Sequence, residues 1–326
     1  MATLCDKIRM VFPPKPVLTE SNLPDQEGKV FIVTGSSGGI GKAVAAMLYG
    51  KNSVVYMAAR SKAKCEAAID EIRRKYPSST GRLEFLHLDL ADLSTIKASA
   101  ETFLARESRL DVLWNNAGVM ASPAGSKTVQ GYDLQLGTNN LGPFLFTKLL
   151  YPLLVSTVAA AVAGSEHASS TRVVWVSSNG AQSAPTPPVD FGNIDYSIRD
   201  ETPFNKYFRS KAGNIFHARE LARRSKEASD GVISVVMEPG LIKPDIGRNV
   251  STAIHVISAP FQGSVEDGAS TELFAGLHES ITEEHNGAWV ASYGRINTDN
   301  LRPDLLDDDS AKRFWEWCEE QVKPYV

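Results

Sequence analysis

The chain has 326 residues, 43% of them hydrophobic and 22% charged, with a formal net charge of −4. Such a composition is ordinary for a globular protein and lacks the clustered basic surface that nucleic-acid binding requires. The three cysteines, Cys5, Cys65 and Cys318, are far apart and form no C-x-x-C. That argues against a disulfide framework or a zinc site and for a reducing, cytoplasmic setting.

Residues 1–27 are rich in proline and polar residues and read as an arm laid over the fold, with no apolar core or cleavage site of a secretory peptide. From residue 28 the pattern is regular and reads as one domain to residue 326. "KVFIVTG" is a β-branched strand, followed by a Gly/Ser turn and the helix "IGKAVAAMLYG". The alternation continues with strand "SVVYMAAR", helix "KAKCEAAIDEIRRKY", strand "RLEFLHLDL", helix "LSTIKASAETFLARE" and strand "LDVLWNNAG". The apolar stretch 141–164 is long enough to span a membrane, but Lys148 and Pro152 interrupt it, so a buried or interface helix is expected. Strand "TRVVWVSS", a proline-bearing loop at 184–203, helix "YFRSKAGNIFHARELARRS" and strand "GVISVVMEPG" follow. Residues 164–171 read as a polar insertion, and 244–326 as an irregular, partly helical segment on the substrate side. Apolar strands alternating with helices predict an α/β, doubly wound (Rossmann) parallel sheet covered on both faces.

"TGSSGGIG", Thr34 to Gly41, lies between the first strand and the first helix. Glycines there allow a tight turn and close backbone approach, and the helix N-terminus offers N–H groups to a pyrophosphate. An NAD enzyme carries an acidic residue at the end of the second strand; here Arg60 and Ser61 stand there, which suits a 2′-phosphate and predicts NADP(H). Tyr207 and Lys211 form the only Y-x-x-x-K among nine tyrosines. A lysine one helical turn away favours the phenolate and brings a tyrosine toward working pH. No His/Cys/Asp grouping has metal-ligand spacing, and the six histidines read as structural or surface residues.

These motifs, with "NNAG" (115–118), Ser178 at the end of the fifth strand and "PG" (239–240), resemble the short-chain dehydrogenase/reductase family over residues 28 to 250. "NNLGPFLFTKLL" and the helix beginning at Tyr207 are similar to the retinol-dehydrogenase-like and WW-domain-oxidoreductase-like branch; the ending "RFWEWCEEQVKPYV" is similar to fungal members. The resemblance implies a catalytic group of Asn139, Ser178, Tyr207 and Lys211. Asn139 would hold a helix bend and a proton-relaying water. Aligning "S-x-x-G" selects Ser177, whereas strand register selects Ser178, and register is the stiffer constraint. For cofactor binding it implies Gly35, Ser37, Gly39, Ile40, Gly41, Arg60, Ser61, Asp89, Leu90, Asn115, Asn116, Ala117, Gly118, Pro239, Gly240 and Ile242, with Tyr207 and Lys211. Pro244 stands where the family often has threonine. The implied activity is hydride transfer between NADP(H) and a lipophilic or aromatic carbonyl or secondary alcohol, such as a fungal secondary-metabolite intermediate. A cofactor-sensing scaffold and a same-fold lyase or isomerase are the alternatives. Phe204, Phe208, Leu241, Ile246 and Trp289 are candidates for a substrate pocket or for the core. A homodimer through the apolar helix and a monomer both fit.

Overall fold

The computed structural model describes residues 14–163, 171–242 and 262–326. Cys5, the stretch 164–170, Pro244 and Ile246 lie outside the described residues.

Six parallel strands form the centre of the sheet: β1 Val30–Thr34, β2 Val54–Ala59, β3 Arg82–His87, β4 Val112–Asn115, β5 Arg172–Val176 and β6 Ile233–Met237. A further parallel strand, β7 Trp289–Ala291, and the antiparallel β8 Arg295–Ile296 extend it, giving the order β3-β2-β1-β4-β5-β6-β7-β8. The order reverses between β1 and β4, and ligands of doubly wound folds bind in the crevice above such a switch point. Helices are α1 Gly39–Tyr49, α2 Lys62–Lys75, α3 Leu93–Leu104, α4 Gly142–Ala163, α5 Pro203–Ala228, α6 Val265–Leu277 and α7 Asp308–Val322.

The period-2 alternation of the strands separates two cores. Val30, Ile32, Leu113, Val173 and Trp175 pack with α3, α4 and α5 residues on one face, among them Phe103, Phe144 and Ile215. Phe31, Val33, Val112, Trp114, Val174 and Val176 pack with α1, α2 and α6 on the other, among them Val44, Ile69 and Leu273. Every residue of β1, β4, β5 and β6 is buried, as a parallel sheet covered on both sides demands.

The helix α4, whose extension Leu134–Ala163 is long and apolar enough to cross a membrane by composition, packs its Phe144–Thr147, Leu150 and Leu154 on the sheet. Lys148 pairs with Glu319 of α7 at 2.9 Å. The expected start of α5 at Tyr207 is too late. Thr202 caps the helix by accepting the Asn205 N–H at 3.2 Å, and Pro203 occupies its first turn, where a missing N–H costs nothing. The third strand ends before Asp89, because the Asp89 carboxylate accepts the Ala91 N–H and starts a turn. The C-terminal segment contributes β7 and β8, three and two residues long, too short for periodicity to reveal. Residues 14–27 run over the fold, with Leu18 and Leu23 buried in the second core and Glu20 bonded to Tyr76 at 2.8 Å.

Candidate active site

The crevice at the switch point is built from strand ends. Gly35 follows β1 with φ +72, and a Cβ there would lie 2.9 Å from the Ala117 Cα. A Cβ on Gly41 would lie 2.5 Å from the Asn116 amide nitrogen. Only glycine permits this packing of the turn against 116–117. The contact is locked by hydrogen bonds: Asn116 Nδ2 donates to the Thr34 carbonyl at 2.7 Å, and the Ala117 N–H donates to Thr34 Oγ1 at 2.9 Å. Asn115 is tied instead to Thr147 on α4, at 2.9 Å. At the mouth the loop is open. Cβ atoms on Gly38 and Gly39 would meet nothing within 4 Å, and no side chain caps the N-terminus of α1. Ser37 and Ile40 sit half-buried in the same turn.

Arg60 is exposed at the end of β2 and forms no ion pair among the described residues, while Ser61 caps α2. Asp89 is half-buried and Leu90 is buried against Gly142. Pro239 and Gly240 leave β6, with the Gly240 N–H donating to Glu238 at 2.7 Å and Ile242 bridged to Gly263.

Asn139 lies in a π-helical turn, Gly137–Leu141, a local departure from the regular α-helical pattern. Its Oδ1 accepts from the Val119 N–H at 2.8 Å, and its Nδ2 donates to the Val119 carbonyl and to Ser210 Oγ, both at 2.9 Å. The amide therefore fixes the chain after Gly118 against α5. A Cβ on Gly118 would lie 3.1 Å from Asn139 Oδ1 and 3.4 Å from Lys211 Nζ, so Asn139, Gly118 and Lys211 share one corner.

Ser178 faces the Tyr207 phenol, near enough to ease its ionisation. Burial nonetheless holds Tyr207 above its ordinary value. Lys211 Nζ stands 5.8 Å from the Tyr207 ring centroid and donates to the Val176 carbonyl at 2.9 Å. Burial lowers its pKa to about 8. The expected depression of the phenol by Lys211 is thus not the dominant effect in this arrangement: both groups are desolvated, and desolvation opposes both charges. Phe208 lies beside Tyr207, with ring centroids 6.0 Å apart and the planes tilted by 57°, whereas Trp289 is within the core.

Comparison with known proteins places this geometry. The family model for short chain dehydrogenase matches residues 29–187. A short-chain dehydrogenase/reductase of Emericella nidulans, pkfC, is 49% identical over 324 residues, covering 97% of this chain and all of that one.

The chain belongs to the short-chain dehydrogenase/reductase family.

A second fungal short-chain dehydrogenase/reductase, from Phomopsis amygdali, is 46% identical and is covered over 96% of its length. Among solved structures, one from Mycobacterium paratuberculosis superposes with TM-score 0.72 at 28% identity, covering 94% of this chain and 97% of that one. The NADPH-bound carbonyl reductase from chicken fatty liver shares the fold, with TM-score 0.61 at 20% identity over 85% of this chain and all of that one.

The short-chain dehydrogenase fold explains why sequence-distant residues meet here: strand C-termini deliver 34–41, 115–118 and 177–178 to one edge, and α5 lays Tyr207 and Lys211 across it. Sequence reading missed Glu238 and Glu272. Glu238 holds Gly240 and also accepts the Ser292 N–H at 2.8 Å, and its place directly before "PG" is a signal. Glu272 is an acid directly before the apolar run "LFAGL", and it is completely buried.

Proposed function

We propose that this short-chain dehydrogenase/reductase is a cytoplasmic NADP(H)-dependent oxidoreductase acting on a lipophilic or aromatic carbonyl or secondary alcohol. The observation that carries the reading is the convergence of Ser178, Tyr207 and Lys211 at the corner formed by Asn139 and Gly118. A dinucleotide fits the residues present. The open Gly38–Gly39 mouth and uncapped α1 would take the pyrophosphate, and Arg60, which pairs with no acid among the described residues, a 2′-phosphate. Asp89 and Asn116–Gly118 would line the adenine and ribose side, Ile242 the nicotinamide side. The nicotinamide supplies the hydride.

The chain's own residues supply position and protons. Ser178 Oγ is placed to hydrogen-bond the substrate oxygen and stabilise charge developing on it. Tyr207 donates its phenolic proton to that oxygen in reduction and removes it in oxidation. Lys211, held by Val176, supplies positive charge beside the phenol and a donor for the ribose. Two apolar residues, Phe204 and Leu241, are 41% and 52% exposed, and together with Phe208 they favour a lipophilic substrate. The fungal relatives favour an intermediate of fungal secondary metabolism as that substrate.

The test is NADPH consumption with a panel of aromatic and aliphatic carbonyls, run beside Tyr207→Phe. Turnover lost by about 10²–10⁴-fold in Tyr207→Phe, with NADPH binding intact, is the expected result. Tight NADPH binding without consumption across the panel would instead establish a cofactor-sensing scaffold, and product formation without net consumption a lyase or isomerase.

A further inference from the structure

Glu272 has no exposed surface, and neither carboxyl oxygen has a hydrogen-bond partner among the described residues. Leaving a carboxyl in that state costs several kcal/mol unless a charge elsewhere compensates it. Its position is defined by its helix face. Gly268, one turn earlier in α6, packs on Ile40 and Ile242, and Gly276, one turn later, packs on the Trp114 ring. The Glu272 carbonyl accepts the Trp114 indole N–H at 2.9 Å. Trp114 is joined in turn to Thr34, whose hydroxyl donates to its carbonyl at 3.1 Å and accepts from Ala117, beside Gly118 and Lys211. Glu272 therefore sits under the floor of the crevice.

Among the described residues, the other charged groups around α6 are committed elsewhere. Lys42 on α1 pairs with Glu71, and Arg172 on β5 donates to the carbonyls of Ala275, His278 and Ile281. Glu238 after β6 accepts from Ser292 and Gly240, and Glu266 and Asp267 lie in the first turn of α6. Burial pushes the Tyr293 phenol after β7 up to about 12, so it carries no charge near pH 7, and β4 has no titratable residue. Lys211, by contrast, is 5% exposed, and among the described residues its ammonium makes one hydrogen bond, to the Val176 carbonyl.

Resting on the reading of Lys211 as part of the catalytic group, we propose that Glu272 is a positioning residue that keeps the Lys211 ammonium charged from beneath the cofactor crevice. Burial pushes the Glu272 carboxyl up to about 8 and the Lys211 ammonium down to about 8, and each group's charge opposes the other's shift. Such a pair loses its protons in two coupled steps. When the first proton leaves from Glu272, the carboxylate that remains holds the second on Lys211. Without Glu272 the first proton must leave from Lys211, and the catalytic corner loses its charge at lower pH.

The test is a ¹³C-lysine NMR titration, with the Lys211 signal assigned by Lys211→Arg, in the wild type, Glu272→Gln and Glu272→Leu. The pH dependence of kcat and chemical denaturation are measured in parallel. In both variants the Lys211 midpoint should fall by about one pH unit, a tenfold change in proton affinity. The basic limb of kcat should fall with it, and the denaturation curves confirm that both variants stay folded across the pH range titrated. Lys211 midpoints unchanged in both variants overturn the pairing, whatever the activity. Midpoints that move while the kcat profile does not would uphold the pairing and overturn the catalytic reading of Lys211.

Discussion

Ser177 and Ser178 are adjacent in the chain and serve opposite sides of the end of β5. Ser177 continues the face of Val173 and Trp175, is 2% exposed, and donates its hydroxyl to the Lys211 carbonyl at 2.7 Å. Ser178 turns outward, accepts the Gly180 N–H at 3.1 Å, and faces Tyr207. Register separates a structural serine from a candidate catalytic one. Ser178→Ala should lower kcat by about 10²–10³-fold with little change in stability, the loss expected for a donor to developing oxyanion charge. Ser177→Ala should do the reverse, costing about 1 kcal/mol in urea denaturation by removing one buried hydrogen bond, with kcat within a few-fold. Equal effects of the two on kcat would remove Ser178 from its assigned role.

The same pair shows how far the sequence was legible. The six strands of the sheet's centre, the glycine turn and the helix carrying Tyr207 and Lys211 all announce themselves through periodicity or spacing, because their local pattern and tertiary role agree. Where local and tertiary requirements part, legibility stops. Lys211 was expected to draw the Tyr207 phenol down, but the ammonium is itself desolvated and turned to the Val176 carbonyl, a fact of packing that spacing does not carry. Glu272 was invisible for the same reason. An acid in a helix is ordinary until a glycine on either side of it is seen to press against Ile40 and Trp114.

Arg60 stands exposed beyond Ala59, where the second strand delivers it to the crevice, and no acid among the described residues pairs with it. A guanidinium matches a phosphate bidentately, whereas a carboxylate repels it. Arg60→Asp should therefore lower kcat/KM with NADPH by about 10²-fold or more, equivalent to about 2.7 kcal/mol, while NADH is affected little or improves. Steady-state kinetics with the two cofactors decides it; an unchanged ratio removes Arg60 from cofactor selection.

The loop 184–203 is fixed to the helix that carries Tyr207. Arg209, two residues after Tyr207, forks onto Glu201 at 2.7 and 2.9 Å, with the two side chains 6% and 7% exposed, and also donates to the Pro187 carbonyl at 2.5 Å. Removing Arg209 leaves the buried Glu201 carboxylate with only the exposed Arg199 guanidinium, 3.7 Å away. Arg209→Met should cost about 3–5 kcal/mol in denaturant unfolding, and the Arg209→Met, Glu201→Leu double variant should recover most of that. A double variant as unstable as the single one would show that the loop is held by its other contacts.

His217 gives the protein an acid limit independent of its chemistry. Its ring is wholly buried between Phe144, Trp175, Phe314 and Trp315, and neither nitrogen has a hydrogen bond of good geometry among the described residues. Burial lowers its pKa to about 3, with the Asn140 backbone offsetting part of that penalty. The folded state thus resists a proton that the unfolded chain accepts near pH 6.5, so the unfolded state binds more protons across this window and stability falls as the pH is lowered. The contribution is complete above about pH 6.5 and is lost progressively toward pH 3, reaching on the order of 3–5 kcal/mol. His217→Phe keeps a flat ring in the aromatic box and removes the titration. Its stability, measured by urea unfolding at pH 7 and pH 4.5, should fall less on acidification than the wild type's, by about 2–3 kcal/mol. Identical losses in the two proteins would place the acid sensitivity on the carboxylates instead.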